Sequence, residues 1–163
     1  MPLVSQDLVG LAEIEDARAR LKGVAVTTPL DESRALSASI GGSTFVKCES
    51  LQRTGSFKIR GAYNLISRLD HAGLAAGVVA ASAGNHAQGV ALAASLLGAR
   101  ATLFMPEVAS LPKVEATKRY GAEVVLTGRD FGAAYEAAHA HAEESGAVFV
   151  PPFEHPHIIA GQG

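Results

Sequence analysis

Apolar residues recur along this chain in two rhythms. Leu8, Leu11, Ile14 and Leu21 keep helical register behind Ser5 or Asp7, and Gly23 ends the pattern. Residues 24–40 hold no single period. Within them Thr27-Thr28-Pro29-Leu30 should be extended, because the residue before a proline avoids the helical region. Gly41-Gly42 marks a turn, Ser43–Glu49 alternates like a strand, and Leu51–Ser56 reads as a polar loop.

A regular alternation follows. Lys58–Leu69 predicts a helix, with Gly73 and Gly77 as breakers after it, and Val78–Ala81 a short buried strand. Asn85–Leu97 is an alanine-rich helix closed by Gly98, and Ala101–Met105 a strand. Pro112 suits the first turn of a helix that runs through Lys113–Tyr120 to Gly121. Glu123–Leu126, Phe131–Ser145 and Ala147–Val150 complete the series as strand, helix and strand. Four short strands separated by three helices predict an α/β fold. Its parallel sheet should have right-handed crossovers and helices on both faces, three layers in all.

Composition narrows the class. The 163 residues suit one ordinary domain, and 48% are hydrophobic, enough for a sizeable core. Aromatics are 6% and Trp is absent, which favours small-residue helices on a parallel sheet over an aromatic-rich β domain. The net charge of -2 argues against a nucleic-acid partner. Cys48 stands alone, so no internal disulfide forms, in keeping with a reducing cytoplasm. The first residues show no basic-then-apolar leader, and the most apolar runs, 89–98 and 146–152, fall short of the roughly 20 residues a membrane span takes. The expectation is a soluble cytoplasmic protein without membrane contact.

Two constellations carry candidate chemistry. In Ser56-Phe57-Lys58-Ile59-Arg60-Gly61-Ala62 a lysine begins a helix after a glycine-containing loop. A first-turn lysine is ordinarily a solvated cation. Here, however, the positive end of the helix dipole opposes its charge and lowers its pKa. A neutral amine is what imine formation with an aldehyde requires. Arg60 would add to the effect if near, and Phe57 offers an apolar face. The second constellation, Ser82-Ala83-Gly84-Asn85-His86-Ala87-Gln88-Gly89, joins the carboxyl end of a strand to a helix start. Ligands bind at that edge of open α/β sheets, and helix N-terminal amides hold anions. Gly84 would let the backbone approach a ligand, while Ser82 and Asn85 add hydrogen-bonding groups. The plainer alternative is that Asn85 caps the helix and His86 is exposed. The G-x-G-x-x-G fingerprint, a P-loop and a G-x-S-x-G elbow are all missing from the sequence.

The run Lys47–Ala62 resembles the lysine segment of threonine and serine dehydratases, members of the fold-type II pyridoxal-phosphate enzymes. Ser82–Gly89 resembles their substrate-carboxylate loop, and Phe153–Gly163 the segment that returns from the small domain to the large one. The likeness spans nearly everything from Thr27 onward. It implies pyridoxal 5'-phosphate as cofactor, carried on Lys58, which would then serve as base and acid at Cα. It further implies that Phe57 supports the pyridine ring and that Asn85 bonds its 3′ oxygen. Ser82, Ala83, Gly84, Asn85 and His86 would line the substrate-carboxylate site. The implied reaction is β-elimination of threonine to 2-oxobutanoate and ammonia, with serine giving pyruvate. Serine racemases of this fold place a serine at the position of Ala83, facing the lysine. Alanine offers no proton on that side, so elimination is expected over racemisation. Biosynthetic dehydratases, which serve isoleucine synthesis, and short catabolic ones are resembled about equally.

The resemblance also divides the chain. Residues 1–50 are expected to belong to a large domain, 51–150 to the small domain, and 151–163 to the return. A glycine-rich loop for the cofactor phosphate and a Ser or Cys at the pyridine nitrogen are implied, but neither occurs in these 163 residues. The expectation is therefore a piece of a longer, homo-oligomeric enzyme, or a truncated product. By itself such a chain should bind the cofactor weakly and turn over no threonine.

The remaining candidates read as ordinary. His139 and His141, two apart on a helix, should face different ways, and His155-Pro156-His157 with Glu154 is a poor metal site. Cys48 is expected to be a small buried hydrophobe. His71, Glu136, Glu143 and Glu144 should be solvated.

Overall fold

The computed structural model describes residues 8–163. Ser5 and Asp7, expected to open the first helix, lie outside them. Helix α1 (Leu11–Arg20) starts at Gly10, whose amide donates to Glu13 Oε2 at 2.9 Å. Strand β1 (Leu30–Glu32) pairs antiparallel with β2 (Phe45–Lys47), in the register Leu30 to Lys47. Between them Ser33 caps a short helix, α2 (Arg34–Ile40), that ends on Gly41 in the left-handed region, φ 79°. β2 is shorter than the predicted strand and ends before Cys48. That residue is half-buried beside Asp31 rather than in the core, so the expectation of a buried hydrophobe is corrected.

In the segment read as a polar loop every second residue is buried. A single 3-10 turn (Glu49–Leu51) leads into it, and Gln52, Thr54 and Ser56 are 4%, 7% and 6% exposed. Gln52 explains how a polar chain tolerates this. Its side-chain amide accepts from Val26 N and donates to Val26 O, both at 2.9 Å, as a strand neighbour would.

Beyond it lie α3 (Lys58–Ile66), α4 (His71–Ala76), β3 (Val78–Ala81), α5 (Asn85–Leu97), β4 (Ala101–Met105), α6 (Leu111–Arg119), β5 (Glu123–Leu126), α7 (Phe131–Ser145), β6 (Val148–Phe149) and α8 (Pro156–Gln162). β3, α5, β4, β5 and α7 match the predicted bounds. α4 does not: Gly73, read as a breaker, lies inside it, and its amide is capped by Asp70 Oδ1 at 2.8 Å. α8 was not anticipated as a helix. Pro156 fits its first turn, and His155 Nδ1 accepts from His157 N at 3.1 Å.

The four strands are parallel in the order β5-β4-β3-β6. Period-2 alternation divides the core. Val78, Ala80, Leu103 and Met105 face α3, α5, α6 and α8, whereas Val79, Ala81 and Phe104 face Ala134 and Ala138 of α7. The expected layers are present, with one helix on one face and several on the other.

The chain runs from β3 outward to β4 and β5, then returns through α7 to place β6 on the other side of β3. The carboxyl ends of β3 and β6 thus lie side by side, and the crevice outside such strand ends is where open α/β sheets bind ligands.

Candidate active site

Lys58 reaches that crevice because α3 crosses α5 at very short range. A Cβ on Gly89 would lie 2.8 Å from the Lys58 carbonyl carbon, so only glycine lets the lysine's backbone settle there. Gly61 and Gly161 do the same between α3 and α8, where a Cβ on Gly161 would lie 2.8 Å from Gly61 Cα.

The amine of Lys58 donates to the carbonyl of Pro152, just past β6, at 2.6 Å. It stands 5.2 Å from the centre of the Phe57 ring and 5.6 Å from that of Phe153. Burial pulls its pKa below the ordinary lysine value. Burial is the cause, and Arg60 is not a partner. Its guanidinium turns away to Gly161 O at 3.2 Å and Gly163 O at 2.7 Å, with Glu49 3.8 Å away.

Ser82 to His86 line the neighbouring strand end. Ser82 is buried, and its hydroxyl accepts from Gly84 N at 3.0 Å, which shapes the turn. The cap of α5 is Gly84, not Asn85. Asn85 is exposed, and its side chain makes no hydrogen bond among the described residues. Ala83 is exposed beside it. The amides of Asn85, His86 and Ala87 precede the first internal bond of α5, from Gln88 N to Gly84 O at 3.2 Å, so they remain free to hold an anion.

His86 departs from the plainer expectation of exposure. It is 3% exposed, and its Nε2 lies 2.9 Å from Val150 O. A carbonyl can only accept, so Nε2 carries the proton; Nδ1 is buried without a partner. Burial first, and then the nearby Lys58 charge, push its pKa down to about 4. His86 is thus a neutral strut, tying the start of α5 to the segment that receives Lys58.

Three participants escaped sequence reasoning. Pro152 and Phe153 are more than 90 residues from Lys58, and only the placement of β6 beside β3 brings them to it. Lys113, in the first turn of α6, packs on Gly84: a Cβ there would lie 2.9 Å from its Cδ and 3.0 Å from its Nζ. A lysine at a helix start was the only available signal, and Lys58 shares it.

Of the other five histidines, His71 is exposed and four pack against neighbouring rings. His139 stacks on Phe149 with ring centres 3.9 Å apart, and His141 tilts against Phe104 at 5.4 Å. His155 and His157 face each other at 5.2 Å, but no cluster of three metal-ligating side chains occurs among the described residues. No helix among those residues is long and apolar enough to cross a membrane.

The crevice suits a planar, anionic aldehyde. It offers a half-buried amine of lowered pKa, a flat aromatic face beside that amine, and a free carboxamide next to open helix amides. Comparison with known proteins agrees. Residues 22–163 match the family described as "Pyridoxal-phosphate dependent enzyme". An L-threonine ammonia-lyase of Thermotoga maritima is 53% identical over 156 residues, covering 96% of this chain and 39% of that protein. An L-threo-3-hydroxyaspartate ammonia-lyase of a Pseudomonas species is 50% identical, covering 93% and 47%. Among solved structures, maize serine racemase superposes with a TM-score of 0.87 at 37% identity, over 94% of this chain and 46% of that one. The chain spans less than half the length of each.

Proposed function

The chain belongs to the pyridoxal-phosphate dependent enzyme family, and on that premise we propose that it supplies the catalytic lysine and substrate-carboxylate loop of a threonine ammonia-lyase. The observation that carries this reading is the Lys58 amine, held by Pro152 O at the carboxyl ends of β3 and β6 with a lowered pKa beside the start of α5. In the full-length protein the reaction converts L-threonine to 2-oxobutanoate and ammonia, and L-serine to pyruvate.

Lys58 would hold the cofactor, Phe57 would support its ring, and Asn85 would donate to its ring oxygen. When bound, the cofactor withdraws electrons from the substrate's Cα and so acidifies the Cα proton. The substrate carboxylate lies on the α5 amides, framed by Ser82, Ala83, Gly84, Asn85 and His86. Lys58, once free, removes the Cα proton, and its depressed pKa keeps a neutral fraction available for that task. The same amine can return this proton to the departing β-hydroxyl, which leaves as water. The released enamine then hydrolyses in solution to the ketoacid and ammonia. Ala83 has no group to deliver a proton to the opposite face, which favours elimination over racemisation.

Residues 1–50 and 151–163 are assigned to a large domain and 51–150 to a small one. The antiparallel β1–β2 pair, separate from the parallel sheet, supports this division. So do Leu30, Ile40 and Phe45, which are 61%, 70% and 56% exposed, since they await cover from further chain or a second subunit. We place the full-length protein in the cytoplasm as a homo-oligomer, acting in amino-acid metabolism. Replacing Lys58 by Ala in the full-length gene product should abolish ketoacid formation from threonine, assayed as the dinitrophenylhydrazone. Retained turnover would remove Lys58 from its role.

A further inference from the structure

The crevice around Lys58 has a polar side and an apolar side. The polar side is the turn before α5, with its open amides and with Lys113 packed on Gly84. The apolar side consists of two aromatic rings, Phe57 and Phe153, whose centres lie 5.2 and 5.6 Å from the Lys58 amine. In the reading above Phe57 is taken up by the cofactor. Phe153 has no assigned task, although it stands as near to the reacting nitrogen as Phe57 does.

Phe153 is held unusually well for a residue between elements. It follows two prolines, whose rings fix φ near -65°. Just before them, Val150 donates its amide to Val79 O at 2.8 Å and accepts from His86 at Val150 O. The Pro152 carbonyl bonds Lys58 directly. A ring on so stiff a segment would ordinarily be packed away, yet this one is 56% exposed while facing the amine. An exposed aromatic face at a fixed distance from a reactive group is a surface prepared for an apolar ligand atom.

The substrate's orientation follows from charge. Its α-carboxylate goes to the amide side, and its Cα must come within hydrogen-bond reach of Lys58, about 3 Å. The substituent on Cβ, two bonds from Cα, then falls within contact range of a ring centred 5.6 Å from that nitrogen. We propose that Phe153 is a specificity-determining residue: its ring forms the wall on which the β-methyl of threonine packs. It thereby favours a methyl there over the hydrogen of serine and over the carboxylate of 3-hydroxyaspartate. The inference rests on the elimination reading and deepens it.

The test is a substrate panel of threonine, serine and 3-hydroxyaspartate, run with the full-length gene product and with Phe153→Ser and Phe153→Leu. A methyl group in an apolar pocket is worth roughly tenfold or more in kcat/KM. Phe153→Ser should therefore lower the threonine-to-serine ratio of kcat/KM by about that factor, and Phe153→Leu, which keeps an apolar wall, should recover most of it. A merely structural role would lower both substrates equally, and an unchanged ratio overturns the proposal while leaving the lyase reading intact. Preference of the unsubstituted protein for 3-hydroxyaspartate over threonine also overturns it. If the unsubstituted protein turns over none of the three, the lyase reading falls and takes the proposal with it.

Discussion

The carboxyl edge of the parallel sheet and the β1–α2–β2 segment differ most in what surrounds them. All of Val78–Ala81 is buried, and the Lys58 amine, the His86 ring and the Ser82 amide, which donates to Phe104 O at 3.0 Å, are each fixed by a partner from another part of the fold. In β1 and β2 every residue is exposed, and Leu30, Ile40 and Phe45 project into solvent. One region carries its own support and can preorganise chemistry, whereas the other is secondary structure whose packing partner lies elsewhere. Folding energy and catalytic geometry are therefore concentrated in the same place, the β3–β6 crevice and the helices beneath it.

Stability should be lost unevenly along that divide. The largest effect is expected at Leu103, fully buried on β4, where Leu103→Ala should cost about 2–5 kcal/mol in urea unfolding. A cost below about 1 kcal/mol would mean that the sheet's main face is not the packed core described here.

Acid should also strike the site region. His86 has a folded-state pKa of about 4 against 6.5 for an ordinary histidine, because the charged ring is disfavoured where it is buried. Below pH 6.5 the unfolded chain takes a proton that the folded one refuses. The contribution is thus intact above pH 6.5 and is lost as pH falls towards 4, on the order of 3 kcal/mol at the limit. His155 and His157, also shifted down by burial, act in the same direction. Comparing His86→Gln with the parent isolates the His86 share: urea midpoints measured from pH 7.5 to 4.5 should fall less steeply in the variant. Parallel slopes would show that His86 does not titrate as a buried group.

A smaller loss is expected at the helix crossing. Gly→Ala within a helix normally stabilises by up to about 1 kcal/mol, yet Gly89→Ala should destabilise by about 1–3 kcal/mol, because its Cβ would meet the Lys58 backbone. Smallest of all, Phe45→Ser on the exposed β2 should change the stability of this chain by no more than about 0.5 kcal/mol. A loss of 2 kcal/mol or more there would mean that β2 is already covered, and the contrast between the two regions would collapse.

The parallel portion was legible because its signals are local. Short apolar runs mark β3, β4 and β5, and Gly98 and Gly146 end their helices at φ 70° and 73°, which a side chain resists. α4 was obscured by Gly73, whose cost in six residues is offset by the Asp70 cap. α2 and α8 are seven-residue helices fixed mainly by caps and packing, too short for periodicity to show. Lys58, Phe57 and Ser82–His86 stood out through sequence motifs. Their surroundings did not: the burial of His86, the Pro152 acceptor and the Phe153 ring all depend on β6 lying beside β3, a pairing that no local pattern encodes. Likewise Arg60 looked like a neighbour of Lys58 by spacing, but the helix turns it towards α8.

The central claim is that Lys58 is the amine that takes up the cofactor, and trapping tests it most directly. The protein is mixed with pyridoxal 5'-phosphate at pH 7, reduced with borohydride, digested and mapped by mass spectrometry. The lowered pKa and the crevice predict that the reduced adduct forms chiefly on Lys58, well ahead of Lys22, Lys47, Lys113 and Lys118. An adduct spread evenly over the lysines, or absent from Lys58, would contradict the account.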